Sequence, residues 1–514
     1  MSTETVDQET TGETPPTTTT HRVAVIGTGF AGLGMAIRLK QEGIEDFVVF
    51  ERAASVGGTW RDNTYPGCAC DVPSHLYSLS FAPNPEWSNS FSSQPEIWEY
   101  LKRTAIDHGV TDHIRFNCEV TDARWDEDSK LWVLQTATGE LRAQMLVAGI
   151  GGLIEPKLPN IPGIEDFDGE VFHSARWNHD CDLTGKRVAA IGTGASSIQF
   201  VPAIQPDVAK LHLFQRTPAW IAPRADHAIS GVQKRLYKRF PALQRLHRSI
   251  LFWSREVLAF GFVKHPRLMR IAQRVGERHI RSQIKDPELR RKLTPDYTFG
   301  CKRALISNDF YPAVAEENVE LLTEGLAEVR GNRVIGVRGA EREVDVIILG
   351  TGFDVTGFPG AKIIHGRGGQ SLTELWDGSP WAHRCTTVSG FPNMFILGGP
   401  NFGTGHMSAV AMFENQYVYV LDALQKIERA DVASVDVREE VQERFIAELD
   451  RKMAGTVWMK GGCQSWYVDR TGRNSTLWPD WTSEHARVTS EFDLGEYEVE
   501  RVADAGERPE LLSV

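Results

Sequence analysis

Several protein classes are excluded by what this chain lacks. It has no basic excess: 56 lysines and arginines face 68 aspartates and glutamates, a formal net charge of −12. Nucleic acid is therefore not its general partner, because phosphate binding needs a basic face. It has no Cys-x-x-Cys pair; Cys68-Ala-Cys70 is the nearest approach and falls one residue short of a dithiol redox motif. Seven cysteines, scattered without metal-ligand spacing, read as reduced thiols of a cytoplasmic protein with no metal site. No apolar run reaches the ~18 residues of a spanning helix, and the longest candidate, "SILFWSREVLAFGFV", is broken by Arg255 and Glu256. Residues 1–20, "MSTETVDQETTGETPPTTTT", lack the basic start and apolar stretch of a secretory signal and read as a disordered tail.

Glycine turns are what the chain does have. "HRVAVIGTGFAGLGMAIRLKQEGIEDFVVFER" predicts a buried strand, a turn at Gly27, Gly29 and Gly32 leading into a helix at Phe30, and a second strand ending at Glu51. Such a turn lets a pyrophosphate approach the backbone at a helix N-terminus, and a carboxylate at the second strand's end takes ribose hydroxyls. "GKRVAAIGTGASSIQFVPAI" predicts the same unit again through Gly192, Thr193, Gly194 and Ser196, with Ser197 in place of the third glycine. That serine should widen the helix–strand contact slightly.

One position separates the two units. Glu51 lies 24 residues after Gly27, and the same step from Gly192 reaches Arg216, followed by Thr217. The carboxylate accepts a free ribose, whereas a guanidinium and a hydroxyl suit a 2′-phosphate. FAD in the first unit and NADPH in the second follow, hence a flavoprotein that takes hydride from NADPH.

The fold class expected is α/β, with two Rossmann-like dinucleotide-binding domains, the NADP domain inserted in the FAD domain. "LRAQMLVAGIGG" and "REVDVIILGTGFD" look like paired strands where the chain leaves and re-enters the first domain. The boundaries expected are 21–152 for the first part of the FAD domain, 153–341 for the NADP domain with a helical insert at 225–292, and 342–514 for the second part and C-terminal segment. "GFPNMFILGGPNFGTGH" is assigned to the FAD domain. Within the insert, Gly231 to Lys292 holds 17 lysines and arginines against 4 acids, a net of about +13. A helical lid with a basic, solvated outer face is expected there, in preference to contact with an anionic membrane surface.

Two longer motifs carry a resemblance. "GGTWRDNTYPGCACD" matches G-G-x-W-x-x-x-x-(F/Y)-P-G-x-x-x-D throughout, through Gly57, Gly58, Trp60, Tyr65 and Asp71. "FDGEVFHSARWN" matches F-x-G-x-x-x-H-x-x-x-W-(P/D) at Phe167, Gly169, His173 and Trp177, with Asn178 at the last position. In this order they resemble the fingerprints of single-chain, FAD- and NADPH-dependent Baeyer–Villiger monooxygenases, in the flavin-containing monooxygenase superfamily. That resemblance, which includes "FGCKRALISNDFYPA", covers most of residues 22–480.

The resemblance implies insertion of one oxygen from O2 next to a ketone carbonyl, through a flavin peroxide, to give an ester or lactone. It implies Arg303 as the residue holding the peroxide anion, Asp71 as its positioning carboxylate, and Lys302 as a contact to the 2′-phosphate. His173 and Trp177 organise a linker that moves during turnover. The cofactor-binding set is Gly27, Gly29, Phe30, Gly32, Glu51, Gly58, Thr59, Trp60, Asp71, Tyr77, Gly192, Thr193, Gly194, Ser196, Arg216, Thr217, Lys302 and Trp466, with Asn474 and Trp478 as further C-terminal candidates. A monooxygenase acting on nitrogen or sulfur is the alternative that Asn178 leaves open.

Overall fold

A computed structural model describes residues 19–502, and its two largest sheets have parallel cores, each built around one of the glycine turns. Most of the tail expected over 1–20 lies outside the described residues, and Thr20 already begins the first strand. Thr20–Ile26 is flanked by Phe47–Phe50 and Gly139–Ala148, all parallel. Phe47–Phe50 is buried at every position, the continuous apolar run of a strand covered on both faces. Ile114–Arg115 extends one edge, and Val120–Asp126 with Leu131–Thr136 forms an antiparallel meander at the other. Met394–Ile396 pairs with Gly139–Ala148 and so brings the 390–406 segment into this first sheet.

The second sheet is wholly parallel, in the order Val319–Leu322, Lys210–Phe214, Arg187–Ile191, Val346–Leu349, Glu170–His173. This corrects the expected return at residue 342. Val346–Leu349 is an interior strand of the second sheet, and the chain rejoins the first only at Ile364–His365, which pairs with Val120–Asp126. The resemblance between "LRAQMLVAGIGG" and "REVDVIILGTGFD" has another cause: each is the return strand of its own sheet. A Cβ on Gly27 would lie 2.6 Å from the Gly149 carbonyl oxygen, and one on Gly192 would lie 2.6 Å from that of Gly350. Both turning glycines have φ near +100° (+90° and +103°), a conformation open to glycine at little cost.

Between the two halves of the second sheet run the helices Gly231–Arg239, Pro241–Ala259, Met269–Gln283 and Pro287–Leu293. Pro241–Ala259 docks on the first domain through polar groups. Gln244 donates to the Asn84 carbonyl at 2.8 Å, and Arg248 Nη1 donates to the carbonyls of His75, Leu76 and Ser78 at 3.0, 3.1 and 2.8 Å. Glu256, fully buried, accepts from the amide and hydroxyl of Ser483, both at 2.8 Å. Burial alone would push this carboxyl up, but the His406 ring, 3.5 Å away, and the hydrogen bonds from Ser483 outweigh it and hold it below the usual range.

A second correction concerns the cysteines. Cys301 and Cys463 form a disulfide, while Cys68, Cys70, Cys118, Cys181 and Cys385 are free. An odd cysteine count carries no information about which two residues the fold brings together across 162 positions. The bond ties the segment carrying Lys302 and Arg303 to the C-terminal loop. Closing so long a loop restricts the unfolded chain, so Cys463→Ser should lower stability by about 2–5 kcal/mol in denaturant unfolding. Thiol titration of the unfolded protein should give five reactive groups before reduction and seven after; seven before reduction would exclude the bond.

Candidate active site

The first turn opens into the helix Phe30–Gln41, nine of whose residues are buried. Tyr417, on the long helix Ala409–Arg429, fixes that helix start by donating to the Phe30 carbonyl at 2.6 Å. Glu51 is buried and accepts from the Thr28 amide at 3.2 Å and hydroxyl at 2.5 Å, from the Ala53 amide at 2.9 Å and from Arg61 at 2.8 Å. Its carboxylate is thereby oriented beside the turn. Gly58 packs against Gly29, so the first fingerprint begins on top of the glycine turn.

That fingerprint then builds an aromatic wall. Trp60 donates to Tyr77 Oη at 3.1 Å, and Tyr77 meets Phe30 edge-on at 5.1 Å. Thr59 heads the short helix Thr59–Asp62 and donates to the Leu153 carbonyl at 3.4 Å. Further along, Tyr65 donates to Gln199 Oε1 at 2.9 Å, and Gln199 Nε2 returns a bond to the Ala69 carbonyl at 2.9 Å. Gln199 lies on the helix Ser197–Ile204 that follows the second turn. The loop leading to Asp71 is therefore clamped onto the second domain.

Asp71 meets Arg303 at the loop's end. Arg303 donates from Nε to Oδ2 at 2.9 Å and from Nη2 to Oδ1 and Oδ2 at 2.7 and 2.6 Å. This fork fixes the guanidinium plane, and Asp71 raises the proton affinity of Arg303 against the opposing effect of burial. The pair keeps 35% and 26% of its side-chain surface accessible, so a small reactant reaches it. Tyr467 is buried alongside, with its phenol pushed up to about 12, mainly by burial. It remains protonated at neutral pH and able to donate.

The second turn repeats the first at its own scale. Thr193 is buried, Gly194 has open space where a side chain would lie, and Ser196 precedes the helix Ser197–Ile204. Ser197 is fully buried, with its hydroxyl placed where Gly350 lacks a side chain; the expected widening is absorbed there. Arg216 is exposed after Lys210–Phe214, with Thr217 half-buried beside it. Lys302 lies close enough to feel Arg216: burial first, then that like charge, lower its proton affinity. Asp296 opposes them, and the two neighbouring cations offer an anion a concentrated positive charge.

The short fingerprint forms the edge strand Glu170–His173 and the turn after it. His173 Nδ1 accepts from the Ala175 amide at 3.0 Å, and its ring faces Phe353 at 6.1 Å. Trp177 packs between Phe172 and Phe200 at 5.1 and 5.6 Å. Phe167 joins the apolar cluster under the second sheet, and Gly169 has the Asp345 carbonyl where a side chain would begin. Nearby, the two inter-domain connections run side by side, with Lys157 donating to the Gly352 carbonyl at 2.9 Å and Asp354 to that of Glu155 at 3.1 Å. Asn178 donates to Glu170 at 3.3 Å and caps Asp180 at 3.0 Å.

The three C-terminal candidates have different surroundings. Trp466 is 45% exposed, Asn474 caps the amide of Leu477 at 3.1 Å, and Trp478 lies in an apolar cluster with Phe402 and Met412. The structure adds Tyr467 and Arg255 near the Arg303–Asp71 pair. Arg255, on Pro241–Ala259, is half-buried; burial and the Arg303 charge lower its proton affinity while Asp71 opposes them. Its signal in the sequence was the interruption of an apolar run.

Burial pushes His173 down to about 4, against about 6.5 in the unfolded chain. The unfolded state therefore takes up the proton first, and stability present above pH 6.5 is lost as pH falls towards 4. The loss should be on the order of 2 kcal/mol at pH 5. His173→Gln, which keeps an acceptor for Ala175, should flatten the pH dependence by that amount in urea unfolding, and an unchanged pH profile would refute the burial argument. The same variant should slow turnover without loss of flavin.

The comparisons with known proteins agree with this geometry. A family model described as flavin-binding monooxygenase-like matches residues 20–359. The chain is 50% identical to a Baeyer–Villiger monooxygenase of Streptomyces coelicolor over 485 residues, covering 94% of this chain and 93% of that protein. It is 50% identical to another of Pseudomonas aeruginosa over 489 residues, covering 95% and 93%. A solved structure of OTEMO in complex with FAD and NADP superposes with a TM-score of 0.83 at 27% identity, covering 93% of this chain and 99% of the other. With a matched model over most of its length and half its residues shared with these relatives, the chain belongs to the flavin-binding monooxygenase-like family.

Proposed function

We propose that this chain is a Baeyer–Villiger monooxygenase: it uses NADPH and O2 to insert one oxygen atom next to a ketone carbonyl, giving an ester or lactone. The observation that carries the reading is the forked Arg303–Asp71 pair at the meeting of the two dinucleotide domains. The residues fit both cofactors. Gly27, Gly29, Gly32, Glu51 and the Trp60–Tyr77 wall would hold FAD, and Gly192, Gly194, Arg216, Thr217 and Lys302 would hold NADP. When bound, the flavin passes two electrons from the nicotinamide to dioxygen.

The chain's own groups supply the rest. Arg303 stabilises negative charge that develops on an oxygen atom beside it, a contribution that requires a donor fixed in advance. Asp71 fixes it by engaging Nε and Nη2, and Nη1 is not among the atoms it holds. Tyr467 can donate to the same oxygen. The aromatic wall excludes water from that side.

The reading is tested by supplying NADPH, O2 and a panel of ketones and sulfides and identifying the products; sulfoxides without esters would refute it. Arg303→Ala should still take hydride, but oxygenation should fall by roughly 10²–10³-fold, with the NADPH consumed appearing as hydrogen peroxide. Asp71→Ala should uncouple more mildly, and the double variant should lose little beyond Arg303→Ala, because the two act as one unit. A normal ester yield from Arg303→Ala excludes this mechanism.

Cofactor choice is tested separately. Each charge-assisted contact to a 2′-phosphate contributes on the order of 1.5–3 kcal/mol. Arg216→Ala should therefore raise KM for NADPH by about tenfold or more, with KM for NADH barely changed. Equal losses with both cofactors would count against Arg216 as the phosphate ligand.

A further inference from the structure

The helix Pro241–Ala259 is inside out. Its inward face carries Gln244, Arg248, Arg255 and Glu256, while Leu243, Leu246, Ile250, Trp253 and Val257, spaced three or four residues apart, point outwards and are 44–65% exposed. A helix facing water places its polar stripe outwards. Further exposed apolar side chains lie on the adjoining segments of the insert, so that 13 of the 21 large hydrophobic side chains exposed among the described residues fall between Val232 and Val275. A concentration of this kind on one insert marks an interaction surface, unlike singly scattered exposed residues. The expectation of a basic, solvated outer face thus meets an outer face that is basic but also apolar.

The charge around the stripe selects its partner. Arg245, Arg267, Arg270, Arg274, Arg278 and Arg281 are exposed in and beside this surface, and no ion pair engages any of them among the described residues. The segment Gly231–Lys292 holds 17 basic residues against 4 acids, while the chain as a whole is at −12. A second copy would set this positive surface against its own like charge. An anionic bilayer supplies both complements, hydrocarbon for the stripe and negative headgroups for the arginines.

We propose that the helical insert docks this protein peripherally on anionic membranes, with Pro241–Ala259 lying in the interface plane. Its 19 residues extend about 28 Å along the surface, and the outward side chains enter the outermost ~5–10 Å of the bilayer. The attachment lies on the surface and does not cross, since no helix among the described residues is long and apolar enough to span. Trp253, at the middle of the exposed stripe, has the amphipathic ring suited to the headgroup boundary.

Flotation of the full-length, flavin-loaded protein with vesicles tests this. At 0.1 M salt it should float with phosphatidylglycerol-containing vesicles, bind pure phosphatidylcholine at least about tenfold more weakly, and detach substantially at 1 M salt, where screening shortens to about 3 Å. Leu246→Gln/Ile250→Gln/Trp253→Gln should reduce binding at least about tenfold with flavin content and activity on a water-soluble ketone unchanged. Arg270→Glu/Arg274→Glu/Arg278→Glu should abolish the preference for the anionic lipid. The proposal is overturned if the wild-type protein does not float with phosphatidylglycerol vesicles at 0.1 M salt, or if the triple apolar variant binds as well. It is equally overturned if sedimentation shows a dimer that the apolar variant dissociates while vesicle binding is absent, because the stripe would then belong to a second copy.

Discussion

The Arg303–Asp71 ion pair is the contact on which the rest of the architecture converges. Asp71 ends a loop of the first dinucleotide unit, and Arg303 follows the helical insert within the second. Neither domain contains the pair alone. It exists only when the two sheets are docked, and docking is secured around it by the Gln199 clamp on Tyr65 and Ala69 and by the Cys301–Cys463 bond. Burying two charges is costly unless their geometry is good and their remaining hydrogen-bonding groups are served. The forked geometry and residual accessibility meet that condition, so the pair costs stability only modestly.

The glycine turns show how far repetition in sequence reflects repetition in space. Gly27 over Gly149 and Gly192 over Gly350 are the same construction built twice, each with a return strand ending on a glycine beneath the turn. Those features were legible because glycine is demanded by backbone geometry at positions that spacing reveals. Glu51 and Arg216 occupy matching places with opposite charge, and the different ligand proposed for each unit rests on that contrast. The position of the domain return was not legible. "VIIL" is a four-residue buried run that reads identically in either sheet, and only the pairing of Val346–Leu349 with Arg187–Ile191 and Glu170–His173 assigns it.

The site was legible where a motif spans it and obscure where the fold alone assembles it. Asp71, Lys302 and Arg303 lie within motifs, and the structure brings Asp71 to Arg303 across 232 positions. Gln199 and Tyr467 have no motif to mark them; their roles come from packing against residues far along the chain. The C-terminal loop carries two neighbouring aromatics of different setting, Trp466 at the surface and Tyr467 buried beside Arg303. The disulfide was hidden for the same reason, since Cys301 and Cys463 become neighbours only after both domains and the C-terminal loop are in place.

The helical insert joins these themes in a single element. On Pro241–Ala259, Arg248 holds the carbonyls of the first domain, Arg255 faces the Arg303–Asp71 pair, and Glu256 holds the C-terminal segment at Ser483. The polar residues that break the apolar run "SILFWSREVLAFGFV" are therefore the ones directed inwards, and its apolar residues are directed out. An ordinary amphipathic reading would place them the other way round. Because the inward groups are committed to three separate contacts, the helix has no freedom to rotate its apolar side into the core. The exposed stripe is thus a consequence of how the helix is docked, and whatever covers that stripe sits one helix thickness, about 10 Å, from the Arg303–Asp71 pair.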